Sequence, residues 1–482
     1  MHPKIKHNLK TVKSKITSLS ANKNVRSIFW ISGLYFFSRI LGFFRTVILG
    51  QQLDKISQEL ILNADKIPTY ISTILLMGTV YSSVFPVFSR LNKGQDNNGL
   101  ESKIKNTSTS SLVDKSKVYF DLMVVILTIG VAIVTVFGMI FTPWILENIF
   151  TSGENWQKAV NLGLIDQYVL ASRILLLTPI NFCIQALYGV ILNFNKKFVV
   201  FSLAGILANV FSIIGIFFSR GSFVNFAIGT TVGVTLSSVV YIWKCNSMGY
   251  KFNFEVLNNF IQNLKNQSLE IKQTFRVFWP RIFLIDGFFV AYLLLGKFTT
   301  LDYTNYAFDL ATSVQNTFYI LISSLGIIAL PALSESSSGS GEFWTKIKTY
   351  LKNSFLLGFF VAICCMVFAP LVLWLFELFG KINSNVNYII LLIQIGSIKL
   401  VFNSIKEILN SYFYAIESKF RPVLVSVTAN VGQVAIFFLL LNQKIDVGIS
   451  AILCMSSYYV IWAILGLLLV RKDYGLYVGK SG

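Results

Sequence analysis

Histidine is almost absent from this chain. Of 482 residues only His2 and His7 are histidines, so imidazole acid–base catalysis and histidine-ligated metals are excluded from the body of the protein. Cysteine is sparse: Cys183, Cys245, Cys364, Cys365 and Cys454 lie in or beside apolar runs. They have neither metal-site nor disulfide-framework spacing, and they read as small apolar fillers. No glycine-rich phosphate loop with its lysine and no nucleophile elbow occur, and the carboxylates are scattered. The chain therefore carries no enzyme constellation, and ATP-driven work would need a separate ATPase chain. Charge is scarce too, at 13% of residues against 54% hydrophobic, a balance no soluble globular domain has. A short apolar region followed by a small-residue cleavage site is missing, so Met1–Arg26 reads as a retained basic arm.

What the chain has instead is a series of apolar runs of about 20 residues, each long enough to cross roughly 30 Å of hydrocarbon as a helix. Barrel-type alternation is absent, so the expected class is all-α. Twelve spans fall near 27–50, 58–90, 117–142, 166–192, 197–219, 223–244, 276–297, 302–334, 350–378, 386–414, 420–442 and 447–470. The Lys and Arg residues test the count. Of 41, 28 lie in the arm, the even-numbered connections and the tail; six lie in the odd connections and seven inside spans. This asymmetry predicts a multi-pass membrane protein of twelve spans with both termini cytoplasmic. It also accounts for the net charge of +19 as a topology signal and a contact with anionic membrane lipids, rather than with nucleic acid.

Six spans precede the polar stretch 245–275 and six follow it. The expected units are an arm at 1–26, a first lobe at 27–244, a linker at 245–275, a second lobe at 276–472 and a tail at 473–482. In the linker, Phe254, Leu257, Phe260, Ile261 and Leu264 form one helical stripe, which suggests a helix lying on the membrane surface; a loop helix in water is the alternative. The lobes echo each other. Val84-Phe85-Pro86-Val87-Phe88-Ser89 in the second span has a counterpart in Ala329-Leu330-Pro331-Ala332-Leu333-Ser334 of the eighth. Lys197-Phe198 and Ala208-Asn209-Val210 recur as Lys419-Phe420 and Ala429-Asn430-Val431. Copies six spans apart share one orientation, so the pattern is a parallel repeat, with a substrate expected in a central cavity between two six-helix lobes.

Two arginines, Arg39 and Arg45, sit inside the first span without a carboxylate. Together they cost about 5–7 kcal/mol to insert, against about 4–8 kcal/mol returned by thirteen Leu, Ile, Phe and Val. Such charges face a bundle interior or watery cavity, and two fixed positive charges suggest an anionic ligand. Gly42 between them lets a neighbour or ligand approach the backbone. Glu59, Asp65 and Lys66 stand in the second span. Glu59 is positioned to pair with an arginine across the cavity, or belongs to an ordinary ion pair. Lys399, Asn403, Lys406 and Asn410 recur at helical spacing and either line the cavity or snorkel with Glu407 to the interface. Arg281, Asp286 and Asp309 complete the charges of the seventh and eighth spans.

The run Ser38-Arg39-Ile40-Leu41-Gly42-Phe43-Phe44-Arg45 resembles the first-helix motif of the MurJ/MviN lipid II flippases, within the wider multidrug/oligosaccharidyl-lipid/polysaccharide exporter superfamily. The likeness continues in Ala64-Asp65-Lys66-Ile67-Pro68, the Val84–Ser89 run, Tyr306-Ala307, Leu330–Ser334, Phe413-Tyr414-Ala415 and Lys419-Phe420-Arg421-Pro422. It implies that the protein flips an undecaprenyl-pyrophosphate-linked peptidoglycan precursor outward, with cell-wall synthesis proteins as further partners. Arg39 and Arg45 match two basic cavity residues of the family, and guanidinium pairs phosphate oxygens in fork geometry. Gly42, Glu59, Lys66, Lys399, Asn403 and Lys406 are further candidate substrate contacts; Asp286, Asp309 and Asn430 are candidates for ion coupling or ion pairing.

The chain also departs from the family. Ser72 and Asp309 fall where more arginine is expected, and Thr46 where an aspartate is common. Asn430 matches a position associated with a sodium site, but Val434 lacks the carboxylate that can follow it. The expectation is therefore no cofactor, with a sodium site in doubt. The family's last two helices, linked with the lipid tail, find no counterpart. The alternatives are a polysaccharide-unit flippase, a multidrug exporter of the same superfamily, or a non-transporting membrane scaffold.

Overall fold

A computed structural model describes residues 23–72, 79–98, 109–195, 197–218, 222–299, 304–334, 340–377, 385–416, 418 and 420–481. Most of the expected arm, and Lys419 of the second echo, lie outside them. The described elements are all helical. The first lobe comprises α1 (Lys23–Gln52), α2 (Lys55–Ser72), α3 (Thr79–Asn98), α4 (Thr109–Ile145), a short α5 (Gly153–Asn161), α6 (Ile165–Leu175), α7 (Thr178–Phe194), α8 (Phe198–Phe217) and α9 (Val224–Ser247). The connection holds α10 (Glu255–Asn258), α11 (Phe260–Asn266) and α12 (Ser268–Arg281). The second lobe holds α13 (Gly287–Phe298), α14 (Thr304–Ser334), α15 (Gly341–Glu377), α16 (Val386–Gly396), α17 (Ile398–Ala415), α18 (Arg421–Asn442) and α19 (Val447–Ser481).

Among the described residues, seven stretches are long and apolar enough to cross a membrane unaided, and Gly205–Phe217 and Gly287–Phe298 are shorter apolar helices. The fourth, seventh and tenth spans are each built from two helices. Phe137, Ile140, Phe141 and Trp144 on α4, and Phe355, Phe359, Phe360 and Val367 on α15, point outward and stay exposed. Water penalises such a belt and a lipid bilayer does not. The chain is a multi-pass membrane protein.

The repeat is physical as well as textual. Asn209 Nδ2 of α8 donates to Ser38 O of α1 at 2.9 Å, and Asn430 Nδ2 of α18 donates to Ile285 O of the seventh span at 2.9 Å. The echoed asparagine thus ties the fifth span to the first and the eleventh to the seventh. The fourth span breaks at Leu176–Leu177 and the tenth at Ser397. In each lobe side-chain donors bond the backbone beside the break. Thr178 Oγ1 donates to Leu175 O at 2.8 Å and Thr231 Oγ1 to Ile174 O at 3.1 Å. Gln315 Nε2 reaches Leu392 O at 3.2 Å and Ile393 O at 3.3 Å.

Two apolar cores organise the packing. One runs through both lobes where α1 ends, α2 begins and α13 ends. There Leu49, Leu60 and Phe150 from the first lobe share it with Phe289, Tyr306 and Leu310 from the second, and Tyr70 packs its ring 4.7 Å from that of Phe289. The other core, around Phe88, Tyr119, Phe120 and Tyr188, belongs to the first lobe at the Lys/Arg-rich end, and Phe278 of α12 enters it. The seventh span therefore starts against the first lobe and finishes in the second, crossing at a non-helical break, 282–286.

Several expected boundaries move. The linker divides into three helices, the last of which runs on into the seventh span. The five residues of the expected stripe do not share one helix: Phe254 precedes α10, Leu257 lies in α10, and Phe260, Ile261 and Leu264 lie in α11; Phe254 is 72% and Ile261 70% exposed. The linker is fixed to the first lobe by Asn253 N donating to Asp121 Oδ2 at 3.2 Å and by Tyr119 OH against Thr274 Oγ1 at 2.6 Å. The final helix continues through the expected tail to Ser481, where Tyr474 meets Trp344 edge-on and Tyr477 packs tilted against it, with ring centroids 5.3 and 6.1 Å away.

The α8/α9 hairpin is joined backbone to backbone. A Cβ on Gly229 stands 2.3 Å from Phe211 O, whereas one on Gly130 of α4 meets nothing within 4 Å. Gly229→Ala is expected to cost about 1–3 kcal/mol by overpacking, and Gly130→Ala to gain about 0.5–1 kcal/mol of helix propensity. Thermal unfolding in detergent reads the order directly. A Gly229→Ala variant as stable as Gly130→Ala refutes the close approach.

Candidate functional site

Four helix ends meet where the two lobes share their core: the end of α1, the start of α2, the end of α13 and the start of α14. Each brings polar side chains into apolar surroundings, and they answer one another across the lobes. Tyr306 sits in the first turn of α14, where backbone N–H groups lack helical partners. Its N–H donates to Glu59 Oε1 of α2 at 3.2 Å, a carboxylate placed at the positive end of a helix. Lys66 Nζ donates to Asn63 Oδ1 at 2.7 Å and to Asn305 Oδ1 of α14 at 3.3 Å. The same ammonium lies 4.7 Å from the centroid of the Tyr292 ring on α13. Asp309 accepts from Tyr292 OH at 2.6 Å and from Thr46 Oγ1 of α1 at 3.2 Å.

Beyond this layer the loops close as well. Thr299 O accepts from Asn155 Nδ2 at 2.8 Å, and Lys297 Nζ donates to Thr151 O at 3.2 Å. Gly50 and Gly296 permit the approach: a Cβ on Gly50 stands 2.5 Å from Tyr306 Oη, and one on Gly296 2.8 Å from Phe150 O. The lobes are thus sealed at this end by a polar layer.

The two arginines bracket that seal from one side. Arg45 is half-buried, its guanidinium carbon 5.6 Å from the centroid of the Phe226 ring, and it interacts electrostatically with Asp65, which also feels Asp309. Arg39 lies about 9 Å further down the helix axis. It is exposed although it belongs to a span, and it acts electrostatically on Tyr319 of α14. Arg39 and Tyr319 belong to opposite lobes, so the pair spans the interlobe space below the seal.

Other expectations need correction. Glu59 pairs with no arginine among its described hydrogen bonds; the helix start of α14 takes its carboxylate, because that end offers unsatisfied donors. Gly42 meets Asn209, 3.5 Å from its Cβ position, so its place is one of helix packing. Lys399, Asn403 and Lys406 do share a face, yet they are only 2%, 7% and 8% exposed and point into the second lobe, not across to the first. Lys399 Nζ lies 3.7 Å from Met455 Sδ, and Lys406 Nζ 2.5 Å from Asp286 Oδ2. An ammonium with a carboxylate inside its own lobe is better satisfied there than at the interface. Glu407 turns to the Tyr319 hydroxyl, which donates at 2.7 Å. Ser72 bonds Pro68 O at 2.6 Å, one turn back.

Residues the sequence did not single out complete the layer: Asn63, Tyr292 and Asn305, with Tyr306 known only as part of a motif. Asn63 was open to detection, three residues before Lys66 on the same face. Asn305 gave no signal because its partner Lys66 lies 239 residues away, and Tyr292 gave none because Asp309, 17 residues on, belongs to the next helix.

Because Gly50 touches Tyr306, Gly50→Leu is expected to hold the lobes apart at this end. Spin labels on the exposed residues Glu154 and Gln443, one in each lobe, measure it. The distance distribution shifts to longer values, and an unchanged distribution removes Gly50 from the seal.

Known proteins place this architecture. The family model described as lipid II flippase MurJ matches residues 66–480. The probable lipid II flippase MurJ of Bdellovibrio bacteriovorus is 21% identical over 443 residues, 87% of this chain and 77% of that protein. Among solved structures, a lipid II flippase MurJ in an inward closed conformation is similar with a TM-score of 0.69 at 16% identity, over 93% of this chain and 89% of that one. An inward-facing multidrug resistance transporter of the MATE family in the MOP superfamily reaches 0.67 at 14% identity, over 94% and 96%. At such identities the two structures speak for the fold, whereas the family match covers most of the sequence: the chain belongs to the lipid II flippase MurJ family.

Proposed function

We propose that the protein carries lipid II, the undecaprenyl-pyrophosphate-linked peptidoglycan precursor, across the bacterial cytoplasmic membrane by alternating access. The observation that carries this reading is the placement of Arg39 and Arg45 immediately on one side of the interlobe seal. The excess of Lys and Arg at the opposite end makes that end cytoplasmic, with both termini inside. The seal is then the outer gate, and the structure represents an inward-facing form.

The chemistry follows from the charges. A pyrophosphate arriving from the cytoplasmic side meets Arg39 first and Arg45 at the roof. Guanidinium forks bind its oxygens bidentately. Binding at Arg45 competes with Asp65, and the next residue, Thr46, is the one that holds Asp309 across the seal. A ligand that binds differently to the sealed and the open form shifts the balance between them. The protein breaks no bond of the substrate; it binds, reorients and releases. Lys66 and Glu59 serve the gate more than the substrate.

A MATE-like exporter of organic cations is the second reading, favoured by the structural likeness. It requires carboxylates facing the interlobe space, where α1 presents arginines.

Equilibrium binding of lipid II to the purified protein tests the proposal. A charged hydrogen bond contributes about 1.5–3 kcal/mol, roughly 10–100-fold in Kd per arginine. Arg39→Glu with Arg45→Glu is expected to abolish binding, and the Lys pair to retain part of it. Undiminished lipid II binding by a folded double-Glu variant, or selective binding of organic cations by the wild type, overturns it.

A further inference from the structure

The family resemblance implies a sodium site around Asn430, and the residues there can be tested against that ion. The break at 282–286 leaves Ile285 O without a helical donor. One face of α18 reaches it and Gly287 O at the start of α13. Ser426 Oγ and Asn430 Nδ2 donate to Ile285 O, both at 2.9 Å, and Gln433 Nε2 to Gly287 O at 2.6 Å. With its nitrogen so used, each amide leaves a buried oxygen, Asn430 Oδ1 or Gln433 Oε1, without a hydrogen-bond partner. Asp286 lies in the same break, accepting from Phe288 N at 3.1 Å. A carboxylate and two unpaired amide oxygens are ligands a hard cation takes.

The positive charge is nevertheless already there. Lys406 Nζ stands 2.5 Å from Asp286 Oδ2, and Tyr459 OH donates to Oδ1 at 2.7 Å, so both carboxylate oxygens are engaged. The ammonium lies 5.3 and 4.9 Å from the ring centroids of Tyr458 and Tyr459, which favour a cation at their faces. Val434 adds no second carboxylate. Lys399 and Glu407, which also act on Asp286, add one charge of each sign, so the charges already balance and a sodium ion would bring an uncompensated charge into a buried site. The residues do not fit the ion.

We propose that Lys406 is a tethered cation: it holds the seventh-span break as a bound metal ion would, and it makes the second lobe indifferent to sodium. The lobe motion then carries no sodium release step. Its bearing on transport rests on the flippase reading, but the chemistry and the readouts below involve no lipid, so the two fail independently.

The full-length protein in nanodiscs is unfolded thermally in NaCl and in choline chloride at equal ionic strength, with 22Na+ binding measured in parallel. The wild type is expected to have one Tm in both salts and no saturable 22Na+ binding. Lys406→Met removes the ammonium and leaves Asp286, Asn430 Oδ1 and Gln433 Oε1 to a free cation. Its Tm is expected to fall in choline and to climb with the logarithm of sodium concentration, as for a ligand bound only by the native state. Asp286→Asn added to it abolishes the response, and Lys406→Arg stays indifferent. If Lys406→Met does not fold in choline, sodium during purification rescues it. A sodium-specific Tm rise or saturable 22Na+ binding in the wild type overturns the proposal. So does a Lys406→Met protein that folds without responding to sodium, or that sodium fails to rescue.

Discussion

A helix broken inside a membrane exposes backbone that water cannot reach, and at the described breaks of the fourth, seventh and tenth spans side-chain donors, most of them from a neighbouring span, bond that backbone. The requirement is strict because an unpaired backbone group in hydrocarbon costs several kcal/mol. Thr178 and Thr231 meet it in the fourth span, Gln315 in the tenth, and Ser426, Asn430 and Gln433 in the seventh. These bonds fix which helices are neighbours. They also fix where the seventh span can turn from one lobe to the other, and thereby where Asp286 lies.

The duplicated lobes treat the same geometry differently. In each, an asparagine binds a carbonyl of the lobe's first span. The residue after that carbonyl is Arg39 in one copy and Asp286 in the other. The first copy presents its charge toward the interlobe space, where an anion can reach it. The second copy cancels its charge internally through Lys406. At this joint the uncompensated positive charge thus lies in the first lobe, while the equivalent charge of the second is cancelled within it.

Much of this was legible from residue order. Runs of apolar length and the Lys/Arg asymmetry locate the spans, because a bilayer imposes both on sequence directly. The echoed Asn209 and Asn430 marked equivalent joints, and Arg39 and Arg45 stood out by their insertion cost. Side-chain partners were harder to read. The stripe Lys399, Asn403, Lys406 shows which residues share a face but not which way the face turns. That depends on Asp286 and Tyr459, which arrive from other spans. Glu59 reads as a charge in want of a cation, and only the start of α14 beside it reveals a helix end in want of an anion. The seal is largely invisible for the same reason: the bonds from Glu59, Lys66 and Thr46 across to α14 join groups hundreds of residues apart, and of its bonds only Lys66 with Asn63 follows a local helical spacing.

The composition of the seal bears on how such a protein can move. An apolar closure in a membrane gains little by opening to lipid and loses by opening to water. The bonds between Glu59, Lys66, Asp309 and Thr46 and their partners are of a different kind. Each exchanges for a bond to water at a net cost of only about 0.5–1.5 kcal/mol, provided that water can enter as the lobes part. Gly50 and Gly296 keep the surfaces close enough to make those bonds without interlocking large side chains. A gate built this way holds by several small terms and yields to one ligand of modest differential affinity. On the function proposed above, an anion drawing on Arg45, one residue from Thr46, is the ligand to supply it.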